Sequence, residues 1–180
     1  MAVMSEICRA FLKKELDGGK ALYGIVDSAI YKEFHDLMDI EGEENIRILL
    51  KEPYLHGYET AAPYLMRLDI DDAITDGLLH AATGEQWLTL VVSHKSLDAL
   101  AQELRDMIVV ESEVHGKPIV YRFYDPRNLA NYIHIHDEAE LKMFYEDIGG
   151  ALFTIDADDP SVLYAYRDDG IEMIDLKEEA

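Results

Sequence analysis

Apolar positions along this chain switch between two periods, one helical and one of strand type. In residues 4–16, Ile7, Phe11, Leu12 and Leu16 recur at helical spacing, which predicts a helix with Ser5 as its cap and Asp17-Gly18-Gly19 as its stop. Ala21-Leu22-Tyr23-Gly24-Ile25-Val26-Asp27 is an apolar run of strand length and reads as buried on both faces. Helical spacing returns over residues 28–38 through Ile30, Phe34, Leu37 and Met38, and residues 45–50 are strand-like again. A loop over residues 52–58 precedes another strand at 64–69. Asp71 or Asp72 then caps a helix reaching about Ala82, with Gly84 closing it. Residues 87–93 form the strongest strand pattern. After them Ser96 caps the clearest amphipathic helix, with Leu97, Leu100, Ala101, Leu104, Met107 and Ile108 on one face.

The stretch that organises the rest is Lys117-Pro118-Ile119-Val120-Tyr121-Arg122-Phe123-Tyr124-Asp125-Pro126-Arg127. Ile119, Tyr121 and Phe123 alternate with Val120, Arg122 and Tyr124, so the run predicts a strand. Asp125-Pro126 stops it and opens a helix, because proline lacks an amide proton and aspartate is a strong N-cap. Arg122 is a guanidinium inside an otherwise apolar strand. Leaving it buried and unpaired would be costly, so it requires carboxylates or carbonyls in a fixed fork geometry, and Asp27 and Asp125 are the candidate partners. Two short helices follow, at 129–132 and 138–145, ending at Gly149-Gly150. Short strands at 151–155, 162–166 and 171–174 are separated by the turn sequences Asp-Ala-Asp-Asp-Pro and Arg-Asp-Asp-Gly, and residues 175–180 form an acidic, frayed end. The expected fold class is α/β: a mixed sheet flanked by helices, with a C-terminal β-meander that extends the sheet or forms a small subdomain. The expected division is an α/β domain over residues 1–150 and a β-rich extension with an acidic tail over 151–180.

Composition narrows the function classes. Hydrophobic residues at 49% and charged residues at 29% describe a globular chain with a core. The net charge of −21 argues against nucleic acid and anionic membrane surfaces, and favours a basic partner or high solubility. The lone Cys8 excludes an internal disulfide and fits a reducing compartment. There is no apolar run long enough to span a bilayer and no basic-then-apolar leader, so a cytoplasmic location is expected.

Candidate chemistry is sparse. Asp17-Gly18-Gly19-Lys20 lacks phosphate-loop spacing, and Asp69-Ile70-Asp71-Asp72 lacks the glycine and glutamate of a calcium loop. Asp156-Ala157-Asp158-Asp159 reads as a turn. His134 and His136 would share a face on a strand, yet no third ligand is visible and they read as a polar loop between helices. Cys8 sits where a small hydrophobe belongs, and Ser28 has no glycine frame for a nucleophile elbow. No enzymatic constellation, metal or cofactor is expected.

Arg122-Phe123-Tyr124-Asp125-Pro126-Arg127 resembles the hallmark of the Tap/VasW-like (DUF4123) adaptor chaperones of bacterial type VI secretion. Three further blocks keep the family's order: Leu22 through Ala29, Ala62-Pro63-Tyr64-Leu65-Met66-Arg67-Leu68, and the strand and helix from Trp87 through Arg105. Together they cover roughly residues 20 to 150. Many members continue into a further helical lobe, and this chain stops soon after its acidic meander. The resemblance implies a non-enzymatic protein that binds a toxic effector in the bacterial cytoplasm and helps to load it onto the spike (VgrG-type) protein. On this view Asp27, Arg122, Asp125 and Arg127 form a structural charge network. Exposed aromatics are the better contact residues, with Tyr54, Leu55 and Tyr58 as the expected partner-binding group. The charge favours an alternative, an acidic immunity-type protein that inhibits a toxin by direct binding.

Overall fold

In the computed structural model, which describes residues 2–112 and 116–178, the first half of the chain runs α1 (Ala2–Glu15), β1 (Ala21–Asp27), α2 (Phe34–Glu41), β2 (Ile46–Ile48), β3 (Pro63–Leu68), α3 (Ala73–Ala82) and β4 (Leu88–Ser93). The second half runs α4 (Leu97–Ile108), β5 (Val109–Ser112), β6 (Lys117–Val120), α5 (Pro126–Ile135), α6 (Glu138–Ile148), β7 (Gly150–Ile155), β8 (Val162–Arg167) and β9 (Gly170–Asp175).

Seven strands form one sheet in the order β2-β3-β1-β4-β7-β8-β9, and β5 and β6 form a separate two-stranded ribbon. The class is α/β, and the C-terminal meander extends the sheet. Every pairing in that sheet is antiparallel. β3 and β4 run the same way, joined through α3, yet β1 lies between them and pairs with both. Inserting β1 replaces a parallel contact with two antiparallel ones. β1 can sit there because it is apolar on both faces, and its residues from Leu22 onward are all buried.

Helices cover both faces. Phe11 of α1 meets Phe153 of β7 edge-on at 6.0 Å, and α1 packs beside α3 on that face. On the other face Ser93 donates to the Ile148 carbonyl of α6 (2.6 Å), and Thr89 donates to the Tyr124 carbonyl just before α5 (2.6 Å). Caps appear where polar residues precede apolar spacing. Asp72, Ser96 and Asp125 each accept a backbone amide of the helix they open, and Asp137 forms a full capping box with Glu140. Gly149 closes α6 in the left-handed conformation (φ 68°), which costs glycine nothing.

Several boundaries depart from the expected ones. α1 already starts at Ala2, so Ser5 lies inside it. Residues 28–33 are turns rather than helix, because the Asp27 carbonyl accepts from Ile30 and Tyr31 (both 3.0 Å) and Ser28 is drawn to the Ala62 carbonyl (2.7 Å). α5 spans ten residues, so His134 is in its last turn and His136 is its C-cap rather than a loop residue. The strand expected to carry Arg122 ends at Val120. Arg122 lies beyond it, where a turn closed by Asp125 N to Arg122 O (3.2 Å) leads into α5. The ribbon stands apart from the main sheet, and β6 is exposed along its whole length. At the end of the chain, β9 includes Asp175 and Leu176 is buried, its amide bonded to Ser161 O at 2.8 Å. Residues 179–180 of the acidic end lie outside the described residues.

Candidate functional site

Asp27 ends β1 and Asp125 caps α5, and both are only 2% exposed. Two carboxylates so deeply placed require cations or donors. Arg122 supplies one link: its Nη2 is ion-paired and hydrogen-bonded to Asp27 Oδ2 and lies 3.5 Å from Asp125 Oδ2. Arg127, the second residue of α5, grips Asp125 in a fork, Nε to Oδ1 at 2.8 Å and Nη2 to Oδ2 at 2.6 Å. The second Asp27 oxygen accepts the Ala29 amide at 3.1 Å. The four residues therefore form a continuous chain, Asp27–Arg122–Asp125–Arg127, that ties the end of β1 to the start of α5.

Electrostatics follow the geometry. Burial works against the charge on Arg122, but the carboxylates of Asp27 and Asp125 outweigh it, and its pKa rises. Burial also disfavours the Asp125 carboxylate. The hydrogen bonds and charge of Arg127, with the charge of Arg122, more than offset this and hold Asp125 below the usual range. Burial and the neighbouring Asp27 push the Tyr124 phenol upward, so it stays protonated.

The surroundings of this junction are aromatic and partly open. Trp87, whose carbonyl accepts the Asp27 amide at 2.9 Å, stacks on Tyr31 at 4.0 Å with the rings 7° apart. Ile30 is exposed beside them in sequence, and the segment that leaves β2 returns to the sheet at Pro63, directly opposite Asp27. That segment carries Tyr54, Leu55 and Tyr58. Tyr54 and Leu55 pack partly buried against the core, and Tyr58 projects with 63% of its surface exposed. The Tyr31–Trp87 stack and the Thr89–Tyr124 bond escaped the sequence reading. Thr89, a polar residue in the middle of the most apolar strand, was the available signal, since a buried hydroxyl needs a partner.

Other titratable residues are placed less suggestively. Burial pushes the Cys8 thiol up to about 12, which keeps it protonated. His136 is 3.0 Å from Glu140 and lies against the Tyr132 ring at 4.3 Å. Among the described residues no group of three or more His, Cys, Asp or Glu is placed to hold a metal ion, and no helix is long and apolar enough to cross a membrane. A groove of 450 Å³ opens between α5 and the outer strands, lined in part by Pro126, Ala130, His134, Tyr164, Tyr166 and Ile171.

The family model described as "Domain of unknown function (DUF4123)" matches residues 22–143, which contain the whole charged junction. The chain is a DUF4123 protein. No curated protein and no solved structure matches it. The DUF4123 match begins inside β1 and ends within α6, so β7, β8 and β9 lie beyond it and complete the same sheet.

Proposed function

We propose that this DUF4123 chain is a type VI secretion adaptor: it binds a cognate effector in the bacterial cytoplasm and helps to load it onto the spike protein, without turning over a substrate. The observation that carries this reading is how the hallmark side chains are used. Asp27, Arg122, Asp125 and Arg127 are committed to one another in ion pairs between β1 and α5. Groups held this way fix a scaffold rather than reach for a small molecule, and the surrounding Tyr31, Ile30 and Tyr58 supply the amphipathic surface on which protein contacts are built. Tyr54 and Leu55 anchor the same loop to the core, and the Tyr58 amide donates to the Leu55 carbonyl at 2.8 Å.

The test is capture of the tagged chain from its own bacterium with identification of what accompanies it. A toxin recovered together with a spike protein supports the adaptor. The net charge of −21 favours a second reading, an immunity-type inhibitor docking on a basic toxin. An adaptor leaves the purified toxin active, and an inhibitor abolishes its activity, so one activity assay on the captured pair separates the two.

A further inference from the structure

The two edges of the main sheet are finished differently. β2, at one edge, is three residues long, and arginines occupy its carbonyls: Arg47 Nη1 donates to Ile46 O at 2.8 Å and Arg105 Nε to Ile48 O at 2.9 Å. A short edge closed by cationic side chains resists pairing with another strand. β9, at the other edge, has six residues, no proline and no lysine, and among the described residues no side chain donates to its carbonyls. Its alternate amides and carbonyls face outward without a strand to meet them.

The two faces beside β9 differ in chemistry. On the face shared with α5, the cross-strand pairs Tyr166↔Ile171 and Tyr164↔Met173 form an apolar strip beside the 450 Å³ groove, and Met173 at its rim is 64% exposed. On the opposite face Glu15, Glu172 and Glu178 line a shallow hollow whose border reaches Met173 and Asp175 at the strand edge, and among the described residues lining it Arg167 is the one cation. Arg167 is already engaged by Glu15 (2.9 Å) and Glu172 (2.5 Å). A strand laid against β9 would place alternate side chains on these two faces.

We propose that β9 is a docking edge that accepts an extended segment of a partner protein in which apolar and basic residues alternate. Backbone pairing supplies the attachment, the apolar side chains continue the Tyr164–Met173 strip, and the lysines or arginines face the carboxylates of the opposite side. Charge selects the occupant. A second copy of this chain would bring Glu172 and Asp175 against an equally acidic edge within a molecule of charge −21, whereas a basic segment is steered toward it. The proposal rests on the adaptor reading and names the chemistry of the client segment.

The probe is a synthetic ten-residue peptide of alternating lysine and valine, with a peptide of the same composition in two blocks as control. The expected result is binding of the alternating peptide at least tenfold tighter than the block peptide, with slowed amide exchange in β9. Met173→Lys and Glu172→Lys should each weaken it at least tenfold while melting like the parent. Equal affinity for both peptides, unchanged β9 exchange, or full binding by both variants would overturn the proposal. So would a dimer on sizing that Met173→Lys dissolves, because the edge would then belong to a second copy. Co-purification from the bacterium keeps the two readings separate. A toxin captured equally by parent and both variants sinks the docking edge alone, and a parent that captures no toxin sinks the adaptor reading.

Discussion

Arg122 is the residue on which the junction turns, because among the described residues it alone is ion-paired with both buried carboxylates. Replacing it with alanine leaves Asp27, 2% exposed, with the Ala29 amide as its remaining hydrogen-bond donor. Removing one partner of a fully buried pair costs about 3–5 kcal/mol, and the 39% exposure of the Arg122 side chain admits water that lowers this to about 2 kcal/mol. Denaturant unfolding of Arg122→Ala should show that loss; a variant as stable as the parent would mean the junction is decorative. Asp125 carries a pH signature. Its folded pKa lies below the unfolded value of about 3.9, so its contribution is complete above about pH 4 and is lost as the pH falls through the folded value. Asparagine caps helices as well as aspartate does but carries no charge. Asp125→Asn should therefore be less stable than the parent at neutral pH, and the difference should shrink below pH 4. A difference that stays constant down to pH 2 would contradict this assignment.

At the scale of elements, the tightest fit is between β4 and β7. A Cβ on Gly150 would run into the Val92 carbonyl oxygen and press on the Ser93 Cα, and backbone cannot swing aside as a side chain can. Gly150→Ala should cost about 3 kcal/mol or shift the start of β7. Urea unfolding reads the first effect and amide exchange along β7 the second. Much of the element pattern was readable in the residues. Alternation and capping placed β1, β3, β4, α3 and α4 within a residue or two, and the need to pair Arg122 pointed to Asp27, 95 positions away. The alternation from Ile119 to Tyr124 misled because two environments share one pattern. Ile119 and Val120 are exposed on the ribbon, whereas Phe123 is buried against Phe144 (5.7 Å) and Tyr132 (5.6 Å). Local periodicity cannot distinguish a strand from a turn whose aromatics are claimed by two later helices. Strand order was equally hidden, since the insertion of β1 between β3 and β4 is decided by contacts distant in sequence.

For the molecule as a whole, charge is the dominant variable. Thirty-seven acidic residues against sixteen lysines and arginines make the folded state repel itself, most strongly where counter-ions are scarce. Raising salt from about 0.02 M to about 0.5 M shortens the screening length severalfold, and the melting temperature should climb by a few degrees. A melting temperature that falls over this range would show that the ion pairs at the junction, rather than the repulsion, control stability.

The arginine-stoppered carbonyls of β2 also bear on stoichiometry. A sheet open along both rims can act as a link in a growing fibril, because each newcomer offers a fresh rim to the next. Here one rim of the main sheet is sealed by the molecule's own side chains, so a strand added at β9 finds no matching open rim at β2 from which that sheet could grow further.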